Sequence, residues 1–481
     1  MSVERSFAKA VAWMAAGSWI EQGCNMLFFI LLARLLGAEA FGLAAMAVAF
    51  VIFAESLVRE SLSEGLISED APDPGFFSAI FWMLTGLGAV LTLGLILAAG
   101  PIAAFYGEPV VRDLLIAFSP TVFLVATNAV PVAILRRKMQ FKILSLRAIA
   151  GVVVGGGVGA VMAFSGAGVW ALVAQQVTLI AVNAVIAWIW AGWRPSFHVR
   201  RAQFRAAFGF GGQVLSLRLA ELIAAQTPIV LIGASLGPAA LGFFSIAWRL
   251  IEVGSFLVVT PLRMASQSAF ALLNRQHGDT AGLLQDISRL SSLVAFPAFL
   301  GLAVLARPLV AVLFGDAWAE AGPVLAVLGL VGLYLCIERV QQSFCLAAGK
   351  IDALTRLAWG EVILGVVAIL IASYWGLVAV TIAFALRYYL LWSIRFRIVA
   401  GIGGLPVLDL ARLFVRPAGL ALVMACFVAV LDHGLGLQAP LARLVIGAGS
   451  GAAIFGLGTV FLMPDRIALL RHYLIGKEVA P

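Results

Sequence analysis

Two arginine–glutamate pairs stand in stretches too apolar to be solvent-exposed. Arg218 with Glu221 and Arg249 with Glu252 lie between Phe208 and Leu262, on either side of the turn GASLGPAAL. Each pair is spaced i, i+3, so on a helix its members share a face. A charge near mid-bilayer costs about 2.5–3.5 kcal/mol on insertion scales, and a chain keeps four of them where they face a polar interior rather than lipid. The chemistry this suits is recognition of a charged, transported solute. Guanidiniums offer planar, multidentate donors to an anion, and carboxylates act as counter-charges or proton carriers. The competing reading is that both pairs neutralise themselves and only fix helix packing.

Other polar residues join this set. Glu21 precedes Glu221 by 200 positions, with Gln22 and Asn25 beside it and Gln213 and Gln226 flanking its counterpart. Arg218, Arg249, Gln22, Asn25, Gln213 and Gln226 are therefore the candidate substrate contacts. Glu21, Glu221 and Glu252 are the candidate ion-coupling or charge-partner carboxylates. Glu55, Arg59 and Glu60 read as interfacial side chains that snorkel, and Glu338, Arg339, Glu361 and Arg387 as lesser cases of the same kind. His198, His277, His433 and His472 fall in loops or at segment ends and read as solvated. Cys24, Cys336, Cys345 and Cys426 are scattered, with no CxxC pair and no zinc spacing. No GxxxxGK[ST] phosphate loop is present, and no nucleophile elbow in its strand-turn-helix setting. The expectation is a non-enzyme with no cofactor and no metal.

The elements that must position these residues are membrane helices. The 481-residue chain is 63% hydrophobic and 12% charged with mean hydropathy +1.06, far above a soluble globular composition. Crossing about 30 Å of hydrocarbon takes about 20 residues, and fourteen such segments are legible, from 11–32 to 441–463. Arg5 and Lys9 before the first resemble a signal peptide, but Glu21, Gln22 and Asn25 within it and the lack of a cleavage site make it an uncleaved helix. With the N-terminus inside, 26 of the 32 Lys and Arg fall on the cytoplasmic side and four on the other. That bias places both termini in the cytoplasm. It also accounts for the net charge of +8 as topology rather than nucleic-acid binding. The longest inside loop is expected at Arg263–Ile287, too short for a folded domain.

The chain also repeats itself. Leu36-Gly37-Ala38-Glu39-Ala40-Phe41-Gly42 matches Leu236-Gly237-Pro238-Ala239-Ala240-Leu241-Gly242 at an offset of 200, and Phe105–Glu108 matches Leu313–Asp316 at 208. Six spans are followed by six related spans and two extra, a parallel repeat with a cleft between lobes. The expected lobes are 1–192 and 206–398, followed by two extra helices over 414–463 and a cytoplasmic tail, 464–481. Gly151, Gly155 and Gly159 form a small-residue packing face in the fifth span. Pro120, Pro131, Pro228 and Pro297 mark candidate kinks.

The polar first helix, ARLLGAEAFGLAAMAVAF, the basic loop AILRRKMQFKILS and LGPAALGFFSIAWRLIEV together resemble the bacterial Wzx-type polysaccharide-repeat flippases, especially the WzxC-like branch of the MOP exporter superfamily. The resemblance covers essentially the whole chain. It implies an inner-membrane protein that moves undecaprenyl-diphosphate-linked oligosaccharide from the cytoplasmic to the periplasmic leaflet by ion-coupled alternating access. Its partners would be that substrate, membrane lipids and the polysaccharide polymerase and export machinery, with no nucleic acid. In such relatives a cationic cavity takes the diphosphate, a role that Arg218 and Arg249 fit by position. Two alternatives stay open: a MATE-like drug or organic-cation antiporter, and a polysaccharide polymerase or ligase.

Overall fold

A computed structural model of the chain describes residues 3–60, 74–197, 212–276, 278–434 and 439–475. It is all-helical. In chain order the helices are α1 (Val3–Glu60), α2 (Pro74–Tyr106), α3 (Val110–Phe118), α4 (Pro120–Arg137), α5 (Phe141–Phe164), α6 (Trp170–Ala191), α7 (Gly212–Arg275), α8 (Thr280–Val304), α9 (Ala306–Phe314), α10 (Ala321–Ala347), α11 (Ile351–Ala372), α12 (Leu377–Gly403), α13 (Val407–Gly434), α14 (Pro440–Leu462) and α15 (Pro464–Ile475). The chain divides into two compact units, Met1–Gly242 and Phe243–Pro481.

Twelve helices among the described residues are long and apolar enough to cross a membrane. Two of these, Ala16–Arg59 and Ser216–Val258, run for 44 and 43 residues, twice the length one crossing needs. Each is broken near its middle by a glycine that no other residue replaces cheaply: Gly37 has φ 77°, ψ 176° and Gly237 has φ 82°, ψ −179°. Counting each as two crossings gives the fourteen segments expected, in a multi-pass membrane protein.

The two breaks lock onto each other inside the first unit. A Cβ on Gly42 would stand 1.7 Å from the Pro238 carbonyl oxygen, and one on Gly242 would stand 2.0 Å from that of Ala38. The repeat seen in sequence is thus a reciprocal backbone-to-backbone contact. The Gly151/Gly155/Gly159 face is likewise a seam, closing α5 onto Asn183, Gln175 and Leu179 of α6.

Two expectations about boundaries change. The expected Arg263–Ile287 loop is largely helix, because α7 continues to Arg275 and α8 starts at Thr280. Asp279 caps α8 by accepting from the Gly282 N–H at 2.8 Å. The ninth segment is two helices, separated at Leu305, whereas α3 and α4 run on as one crossing through Ser119, whose dihedrals stay helical (φ −51°, ψ −38°).

Candidate functional site

A cavity of about 750 Å³ opens in the first unit where α1 passes the turn between α4 and α5. Ser18 and Glu21 of α1 form one wall. Arg136 and Arg137 at the end of α4, Met139 in the turn, and Phe141, Leu144, Ser145, Arg147 and Ala148 of α5 form the rest. The geometry follows from small residues. Gly17 lets α1 approach Ser145 so closely that a Cβ there would stand 2.4 Å from the serine Cβ, and Gly156 receives the Phe28 ring in the same way. Met139 takes a left-handed φ of 54°, which turns the chain sharply between the two helices. Lys138 reaches the Ala191 carbonyl at 3.0 Å and so fastens this turn to the end of α6.

Electrostatically the cavity is cationic. Three guanidiniums and one carboxylate line it among the described residues. The charged neighbours of Arg147 are Arg136, Glu21 and Arg59. Arg59 itself is held at 3.1 Å by Glu55, a buried carboxylate that also accepts from the Thr121 hydroxyl at 3.0 Å. Arg59 is exposed, while Glu55, expected at the interface, is buried. The Arg147 Nε is buried without a protein acceptor. Donors converging in a partly dry recess suit an anion with several oxygens, because hydrogen bonds to a charged acceptor strengthen as water is excluded.

The predicted site residues are distributed otherwise. Of them, Glu21 lines the cavity. Arg218 pairs with Glu221 at 3.1 Å, and Arg249 with Glu252 at 3.2 Å. Glu252 also accepts from the Trp248 indole at 3.0 Å. Gln22, Asn25 and Gln226 are half-buried, and the Gln226 Oε1 has no hydrogen-bond partner. The Gln213 side chain lies outside the described residues, as do His198, His277 and the side chains of Glu60, His433 and His472. Arg136, Arg137 and Arg147 were hidden among charges that topology explained. Their signal was density, since five cations fall between Arg136 and Arg147.

A second set of charges is buried in the other unit. Arg395 of α12 bridges Glu338 of α10 at 3.3 Å and Glu361 of α11 at 3.0 Å, and the Tyr334 hydroxyl donates to Glu361 at 3.0 Å. Arg387, fully buried, donates to the Tyr388 hydroxyl at 2.8 Å and stacks on Phe384 and Tyr388. This network ties α10, α11 and α12 together. Outside the spans, Arg466 of α15 is buried against α8 and α13, donating to the Ser292 hydroxyl and to the Arg289 and Leu413 carbonyls. Burial pulls its guanidinium below the ordinary arginine range, and Asp465 partly offsets this.

The fold defines a polytopic helical membrane protein. The chain superimposes on the lipid II flippase MurJ in its inward closed conformation with TM-score 0.74, covering 94% of this chain and 99% of MurJ at 13% identity. It superimposes on an inward-facing MATE multidrug transporter of the MOP superfamily at 0.59, covering 82% and 98% at 16% identity. At those identities the likeness is one of fold. Residues 31–323 match the family described as "Polysaccharide biosynthesis protein", and the chain belongs to that family. Among curated relatives, the succinoglycan biosynthesis transport protein ExoT of Rhizobium meliloti (strain 1021) is 25% identical over 98% of this chain and 95% of its own length. The lipopolysaccharide biosynthesis protein WzxC of Escherichia coli (strain K12) is 22% identical over 80% and 79%. The resemblance read from the sequence motifs is borne out.

Proposed function

We propose that this protein flips undecaprenyl-diphosphate-linked oligosaccharide repeat units from the cytoplasmic to the periplasmic leaflet of the bacterial inner membrane, for assembly into exopolysaccharide, O-antigen or capsule. The observation that carries the reading is the cavity lined by Arg136, Arg137 and Arg147 in a member of a polysaccharide biosynthesis family. Arginine forks match the oxygens of a diphosphate, and the volume leaves room for a sugar beside it. The cavity belongs to the segment that the charge bias assigns to the cytoplasm, the side on which the substrate is made. Both termini lie on that side in this reading, and the chain acts as a carrier rather than an enzyme, handing its cargo to a polymerase.

The sequence-derived lobes, 1–192 and 206–398, would alternate access to the cargo, with 414–463 as accessory helices and 464–481 as a cytoplasmic tail. Coupling to an ion gradient would use carboxylates among Glu21, Glu221 and Glu252. Arg218, Arg249, Gln22, Asn25, Gln213 and Gln226 would contact the cargo along its path. A MATE-like export of organic cations is disfavoured by the arginine excess, since a cation would be repelled.

The test is reconstitution. Proteoliposomes carrying the protein and a fluorescent polyprenyl-diphosphate oligosaccharide should lose label protection as the headgroup reaches the opposite leaflet. The variant R136A/R147A, at equal protein content, should not support this. Flipping at the wild-type rate by that variant would defeat the assignment of the cavity.

A further inference from the structure

Glu21 is out of place in a cavity built for an anion. It shares the lining with three arginines and lies close enough to Arg147 to be one of that residue's charged neighbours. An ionised carboxylate there does two things to an incoming diphosphate: it repels it, and it occupies the field of the guanidinium that the diphosphate needs. Neither effect survives when the carboxyl carries a proton.

We propose that Glu21 is a proton-loaded placeholder: the diphosphate and a proton enter the cavity together, the proton adding to a Glu21 carboxylate oxygen from bulk water. The proposal rests on the reading of the cavity as the diphosphate site and adds its regulation. By linkage, if protonation of Glu21 strengthens diphosphate binding by some factor, bound diphosphate favours the protonated carboxyl by the same factor. The sign is fixed by charge alone. A cationic solute would expel the proton; an anionic one recruits it.

The groups that could mask this are few. Helices α2, α3, α4, α5 and α6 pack on α1. Their ionisable side chains are Tyr106, Arg112, Asp113, Arg136, Arg137, Lys142 and Arg147. Of these, the three arginines line the cavity with Glu21. The Lys142 ammonium lies 5.5 Å over the Trp13 ring. Glu55 is bonded to Arg59 and Thr121. On α7, Arg218 and Glu221 pair with each other. No described acid other than Glu21 lines the cavity, so the recruited proton has one address.

The experiment is binding of a soluble short-chain prenyl diphosphate to the purified, full-length protein, for wild type and E21Q in parallel, so that the ligand's own titration is common to both. At neutral pH E21Q should bind about tenfold more tightly, the equivalent of one pKa unit of coupling. As the pH is lowered, wild-type affinity should rise towards that of E21Q until the two meet. Parallel profiles, or weaker binding by E21Q, would overturn the proposal. Should E21Q fail to accumulate, calorimetry of the wild type in buffers of different ionisation heat counts the protons directly; net uptake beyond that of the ligand supports the placeholder, and release or no exchange overturns it. R147Q separates the two readings. If it binds the prenyl diphosphate as well as wild type does, the cavity is not the diphosphate site and the reading beneath the proposal fails first.

Discussion

Substituting Gly42 by alanine places a methyl group 1.7 Å from the Pro238 carbonyl oxygen, 2.4 Å from its carbonyl carbon and 2.8 Å from its Cα. All three are backbone atoms, so no flexible side-chain tip can move aside, and α1 must separate from α7. Forced overpacking of this kind costs about 1–3 kcal/mol. Gly242→Ala meets the Ala38 carbonyl at 2.0 Å in the mirror position and should cost a similar amount. The two costs should not add. Once the first methyl has opened the seam, the second finds room, so the double variant should fall short of the sum by about 0.5–3 kcal/mol. Gly94→Ala is the control, because a Cβ at that helical position meets nothing within 4 Å. It should be neutral or stabilising by up to about 1 kcal/mol through helix propensity. The assay is thermal unfolding in detergent, read by a thiol-reactive dye that reports exposure of the buried Cys336 and Cys345. An unfolding midpoint for Gly42→Ala at or above wild type, or strict additivity of the pair, would refute the reciprocal seat.

Other consequences can be checked alongside. Arg147→Lys should reduce polysaccharide export less than Arg147→Gln does, since a lysine keeps the charge but loses the fork; equal loss in both would mean that charge is immaterial at this position. Arg395→Met should destabilise the protein by about 3–5 kcal/mol by leaving Glu361 buried without a cation and Glu338 with Arg339 as its remaining ion-pair partner, whereas adding E338Q and E361Q should restore most of the loss. No rescue in the triple variant would argue that the guanidinium matters for packing rather than charge balance. Arg466→Met removes hydrogen bonds to Ser292, Arg289 and Leu413; at about 1.5–3 kcal/mol for a charged donor, α15 should detach and become cleavable by protease before the bundle unfolds. Simultaneous loss of both would contradict the latch.

Much of the architecture was legible without coordinates because it depends on sums along the chain. Hydropathy over about 20 residues finds a crossing whatever packs against it, and the lopsided Lys and Arg count gives an expected orientation by the same local bookkeeping. The Leu-Gly-x-x-Ala-x-Gly echo at residues 36–42 and 236–242 marked the two kinks, since a glycine at Gly37 or Gly237 is demanded by its own φ and ψ. Helix continuation was harder. Residues 263–275 look polar enough for a loop, yet they extend α7, because a helix satisfies its own backbone and can run on past the apolar segment.

The site lay beyond that reach. Spacing correctly paired Arg218 with Glu221 and Arg249 with Glu252, which are neighbours one turn apart. It could not bring Glu21 to Arg136 and Arg147, more than a hundred residues away; that depended on α1 meeting α5 at Gly17 and Ser145. The same cations therefore counted once as topology and again as the lining of a cavity. The sequence by itself determined how many times the chain crosses the membrane and where it bends, since those follow from each segment's own transfer energy and backbone freedom. Tertiary structure alone decided which charges share a cavity, since an electrostatic field is summed through space and not along the chain.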